Sequence, residues 1–126
     1  MIPFDWNIFE RVVSSAYRVT SSPYQLLEVL TVFDYFLERY AAYRGEEHPP
    51  VRRDQVAKYI RAMPYFYPED HNGTQDPDII PEWYPDIIDR YFQTPFPGCN
   101  YRMGHFFSGT IRENKYYEAI LRGGWI

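Results

Sequence analysis

Apolar residues recur every three or four positions along most of this chain, and Gly and Pro punctuate the runs. Ile8, Phe9, Val12, Val13, Ala16 and Tyr17 predict a helix from about Trp6 to Arg18, with Asp5 as its N-cap. Leu26, Leu30, Phe33, Leu37 and Tyr40 form a second stripe, widened by Val29, Phe36 and Tyr43. Ser22-Pro23-Tyr24-Gln25 reads as its capping box, with Pro at the first helical position, and Gly45 as its left-handed terminus. So wide a stripe predicts a long central helix packed by several neighbours.

A third helix is expected from about Arg52 to Ala62. Val56, Tyr59, Ile60 and Met63 share one face, and Asp54 and Lys58 form an i,i+4 pair on the other. Pro64 disfavours helix at Met63. Tyr65-Phe66-Tyr67 reads as a short extended piece, and Pro68 to Asp78 as a polar loop turning at Asn72-Gly73. A fourth helix starts near Pro81 or Pro85, carries Ile87, Ile88, Tyr91 and Phe92 on one face, and stops at Thr94-Pro95-Phe96-Pro97-Gly98. A short fifth helix is expected from Tyr101 to Phe107 behind Asn100. A sixth begins at the capping box Thr110-Ile111-Arg112-Glu113 and ends at Gly123-Gly124. The pattern predicts an all-α, compact single domain over residues 1–126, with five or six helices and one acidic, Pro-rich loop.

A chain of 126 residues is the size of one domain and can bury a core without metals or disulfides. Its one cysteine, Cys99, has no partner within the chain, which fits a reducing compartment. The first residues carry neither the basic nor the apolar region of a signal peptide, and Glu28 and Asp34 interrupt the most apolar stretch. A cytoplasmic protein without membrane contact is therefore expected.

Charge sharpens the picture. The net charge is −4, but residues 64–98 hold seven acidic groups against Arg90 alone, while residues 99–126 sum to +2. Aromatic residues make up 20% of the chain, thirteen of them Tyr, and Arg outnumbers Lys eleven to two. Tyr, Trp and Arg are enriched where protein interfaces concentrate their energy. Phe33, Phe36, Tyr40, Tyr59, Phe92 and Phe106 sit on apolar stripes and are assigned to the core. Tyr24, Tyr35, Tyr65, Tyr67, Trp83, Tyr84 and Tyr101 fit the stripes poorly. Two accounts stand side by side for these: Tyr at the core margin with Arg stacked over it, or an exposed binding surface.

The second account leads to a non-enzymatic interaction or regulatory protein. It would hold a protein partner, or a second copy of itself, through Tyr65, Tyr67, Trp83, Tyr84 and Tyr91, with the surrounding acidic groups selecting a basic partner. The alternative is a DNA-binding regulator. Two helices around Phe107-Ser108-Gly109-Thr110 resemble a helix-turn-helix in outline, with Arg112, Lys115 and Arg122 on one arc of the second helix and Arg102 and His105 on the first.

Other chemistry is poorly supported. Asp70 to Asp76 departs from a calcium loop in its Gly position, and the twelfth position counted from Asp70 is Pro81 where Glu is needed. His48, His71 and His105 lack metal-ligand spacing, so neither metal nor cofactor is expected. Asp34 and Glu38 read as a solvated carboxylate pair. Cys99 and His105 are the only nucleophile–base candidates, and six residues of continuous helix would not bring them within hydrogen-bond reach. The expectation is of no enzyme.

Overall fold

The computed structural model of the chain describes residues 5–65, 81–94 and 98–107, and of Tyr65 the backbone only. Every regular element among the described residues is helical: α1 Trp6–Tyr17, α2 Leu26–Arg44, α3 Arg53–Ala62, α4 Tyr84–Gln93 and α5 Met103–Phe106. Single 3-10 turns lie at Met63–Tyr65 and Pro81–Trp83. The expected sixth helix, the acidic loop and the extended piece at Phe66 and Tyr67 fall outside the described residues.

The helix ends follow local chemistry. Asp5 caps α1, its Oδ1 accepting from the backbone N–H of Asn7 at 3.0 Å and of Ile8 at 3.1 Å. α2 begins at Leu26, later than the expected Pro23 start. Ser22 Oγ instead accepts the Tyr24 N–H at 3.1 Å, a local turn that competes with helix. The reciprocal contact of a capping box comes from Glu28, whose Oε1 accepts the Gln25 N–H at 2.8 Å. Gly45 closes α2 at φ +71° and donates to the Ala41 carbonyl at 2.9 Å. Met63 keeps helical dihedrals despite Pro64, and the chain tightens there into a 3-10 turn, so Tyr65 is not extended. α5 is shorter than expected, because Tyr101 adopts φ +57° and the helix starts only at Met103.

α1 lies against α3, and α2 against α4. The expected core aromatics are all buried, with the Phe36 ring 5.1 Å from Phe92 and 5.2 Å from Phe106. Such ring pairs add about 0.5–1.5 kcal/mol each beyond the area they bury. Ile8 departs from its stripe and is 58% exposed. Arg53, at the unfavourable positive end of α3, has its reason in α1: its Nε donates to Ser15 Oγ at 2.8 Å. Asp54 pairs with Arg52 at 3.4 Å rather than with Lys58. Among the described residues, no helix is long and apolar enough to cross a membrane.

Candidate functional site

Where α2 meets the turn that opens α4, the surface folds into a groove of about 460 Å³. Leu27, Val32, Tyr35, Pro81 and Pro85 supply its apolar wall. Four carboxylates share it: Glu28, Asp34 and Glu38 from α2, and Glu82 from the turn. Residues 28, 34 and 38 come together because α2 is long enough to carry them along one side of the groove. Glu82 is added by the tertiary fold alone.

None of these four is ion-paired with a described residue; the described ion pairs are Arg39–Asp89, Arg52–Asp54 and Arg90–Asp86. Asp34 is the most exacting case. Its Oδ1 is buried without a hydrogen-bond partner. Desolvation, then Glu10 and Glu38, push its pKa above the ordinary carboxylate value. A carboxylate so placed favours an incoming cation. Leu27, 73% exposed on the groove, and Trp83, 46% exposed beside Glu82, are large apolar side chains left in water.

The expected binding aromatics divide sharply. Tyr84 and Tyr91 are 0% exposed. The Tyr84 hydroxyl donates to the Met63 carbonyl at 2.6 Å, and Tyr24 reaches the same oxygen at 3.4 Å. Tyr91 stacks on Phe36 and meets Phe106 edge to face. Burial removes both rings from any surface patch: each Tyr found a hydroxyl partner, which the sequence could not disclose. Trp83 is exposed, whereas Tyr67 and the Tyr65 side chain lie outside what is described. Tyr35 and Tyr101 take the core-margin arrangement, under Arg39 at 5.1 Å and Arg44 at 5.2 Å.

Of the five basic candidates, Arg112, Lys115 and Arg122 lie outside the described residues. Arg102 is exposed and precedes α5. His105 turns its Nδ1 inward, 2.7 Å from the Tyr91 hydroxyl and 3.1 Å from Cys99 Sγ. The separation expected between Cys99 and His105 is therefore wrong. Continuous helix would have held them apart, but the left-handed Tyr101 folds the chain back before α5 begins.

These two residues share a second cavity, of about 440 Å³, with His48 and Arg102. His48 is buried. Its Nε2 accepts the Met103 N–H at 3.0 Å, which leaves Nδ1 to donate to the Pro49 carbonyl at 2.7 Å. This is a neutral imidazole, and burial lowers its proton affinity. Among the described residues, no group of three His, Cys, Asp or Glu is arranged to hold a metal.

The groove was half legible beforehand. The charge count over residues 64–98 covers Glu82 and its chain neighbour Trp83, whereas Glu28, Asp34 and Glu38 lie on α2, where the sequence pattern reads Asp34 and Glu38 as a solvated pair. Leu27 lies off the α2 stripe, and that mismatch was the available signal for an exposed apolar contact. Compared with protein-family models, with curated proteins and with solved structures, the chain matches none, and its functional reading rests on its own geometry.

Proposed function

We propose that this protein is a non-enzymatic helical interaction module that holds a basic, amphipathic segment of a partner protein in the groove between α2 and the start of α4. The observation that carries this reading is the set of four carboxylates without a described counter-ion around an apolar wall. Leu27, Tyr35 and Trp83 would supply apolar contact. Glu28, Asp34, Glu38 and Glu82 would choose Lys and Arg over acidic side chains, setting specificity and encounter rate more than raw affinity. The anchors differ from those expected from sequence: Trp83 is kept, and Leu27 and Tyr35 replace Tyr84 and Tyr91.

Titration calorimetry with a designed helical peptide, Leu on one face and Lys and Arg on its flanks, tests the reading against a Glu-flanked analogue. The basic peptide should bind, more weakly as salt rises, and the acidic one should not. Trp83→Ala and Leu27→Ser should each weaken binding about tenfold or more without lowering the unfolding midpoint, since both side chains are exposed. Asp34→Asn should weaken binding while stabilising the free protein by a few tenths of a kcal/mol, because it relieves the burial of a charge and the repulsion from Glu10 and Glu38. Equal binding of the two peptides would overturn the proposal. So would a dimer in sedimentation that Leu27→Ser dissolves, because the groove would then belong to a second copy.

A further inference from the structure

The cavity beside α5 holds the chain's sole thiol in an unusual setting. Cys99 Sγ lies 3.1 Å from His105 Nδ1, accepts the Tyr101 backbone N–H at 3.1 Å, and has the Tyr91 hydroxyl at 3.7 Å. The Tyr91 hydroxyl also reaches His105 Nδ1, at 2.7 Å. In the tautomer protonated at Nε2, this ring nitrogen has two protic neighbours and one lone pair. Once it takes the thiol proton, Nδ1–H becomes a donor and the Tyr91 O–H is released toward sulfur. A thiolate at Cys99 would then face three donors: His105, Tyr101 and Tyr91.

We propose that Cys99 is a thiolation site, a thiol activated by His105 that exchanges with small disulfides bearing carboxylates. Burial lowers the proton affinity of His105, so the ring is neutral near pH 7 and available as a base. The same cavity wall carries the exposed cation Arg102, which can meet a carboxylate, and the amides of Asn100 and Gln55. Disulfide exchange fits the site better than acyl transfer. Attack on a carbonyl builds an oxyanion that needs its own donors. Two nearby backbone donors are already committed, Tyr101 N–H to Sγ and Arg102 N–H to Asn100 Oδ1 at 3.1 Å. Attack on a disulfide places the charge on the departing sulfur.

The step balances without a further reagent. His105 Nδ1 removes the Cys99 proton, and Sγ attacks one sulfur of R–S–S–R. A new S–S bond forms as the old one breaks, and its electron pair leaves with the second sulfur. That thiolate takes the proton from His105 and departs as RSH. The Cys99 sulfur is oxidised and the leaving sulfur is reduced. The chain has no second cysteine to resolve the mixed disulfide, so the product is a modification that persists until an external thiol reverses the exchange.

Mass spectrometry of the folded full chain incubated with glutathione disulfide tests this, with the neutral 2-hydroxyethyl disulfide as comparison. One glutathionyl unit should add at Cys99, faster than exchange onto free glutathione under the same conditions. His105→Gln should slow both disulfides about tenfold or more. Arg102→Glu should slow the charged disulfide several-fold more than the neutral one. A folded His105→Gln variant that reacts like the parent would overturn the proposal, as would a thiol inert to both disulfides. Should His105→Gln not fold, the decision passes to the parent rate against free glutathione and the Arg102→Glu ratio: an ordinary rate or an unchanged ratio is a refutation.

Discussion

The Met63 carbonyl shows how single residues here are defined by what they find across the fold. It lies at the end of α3, where the helix gives way to a turn, and two tyrosines converge on it: Tyr84 at 2.6 Å and Tyr24 at 3.4 Å. Burial pushes the Tyr24 phenol well above its ordinary range, with Glu28 and Glu82 adding to the shift. The Tyr24 hydroxyl therefore stays protonated, and both hydroxyls serve as donors. Tyr84→Phe should cost about 1–2 kcal/mol, since of the two described side-chain donors only the longer Tyr24 bond would remain to the buried oxygen. The double variant with Tyr24→Phe should cost more than the two single variants summed, because it leaves that oxygen with neither donor. Urea unfolding of the four proteins measures both quantities, and strictly additive losses would show that the carbonyl finds another partner.

Among the elements, α2 shows which signals survive folding. Its C-terminus ends where Gly45 was expected to end it, because a left-handed residue after the last turn is a local steric requirement. A Cβ at Gly45 would meet nothing within 4 Å. Gly45→Ala should therefore destabilise by about 1 kcal/mol through backbone strain alone, and Gly45→Asn by less, since Asn tolerates that region better. Thermal unfolding would expose any packing role as an equal loss for Ala and Asn. The α2 start was less legible, since Ser22, Gln25 and Glu28 offer competing local bonds. At α5, a short apolar run suggested a longer helix than forms. The φ of +57° at Tyr101 is imposed by packing, with the Tyr101 hydroxyl donating to the Thr94 carbonyl at 2.6 Å. That departure is what brings Cys99 to His105.

For the molecule as a whole, buried His48 and half-buried His105 shape the response to acid. His48 lies against Tyr40 and Phe36, 4.8 and 6.1 Å between ring centroids, and burial lowers its proton affinity; His105 shifts the same way. A histidine whose folded affinity is below its unfolded one leaves stability intact above the unfolded value. Stability is lost as pH falls through the ordinary histidine range near 6.5, where the unfolded chain takes up the proton first. Asp34 shifts upward, so its contribution runs the other way, and only in the more acidic carboxylate range. The urea midpoint should hold steady above about pH 7 and fall toward about pH 5, and His48→Gln should flatten the fall. A midpoint unchanged over that window would contradict the buried, neutral state of His48.

What the sequence determined by itself is local or periodic: four helices near their expected places, the Asp5 and Gly45 termini, and the six core aromatics. Each depends on neighbours within a turn or on a repeating apolar face, which the order of residues states directly. Tertiary structure decided which tyrosines hide their hydroxyls, which carboxylates gather without a counter-ion among the described residues, and which thiol meets an imidazole. Those outcomes join residues far apart in the chain, such as Met63 with Tyr84 and Glu38 with Glu82, or depend on one backbone angle at Tyr101. Burial, not residue type, made Tyr84 core and left Leu27 on the surface.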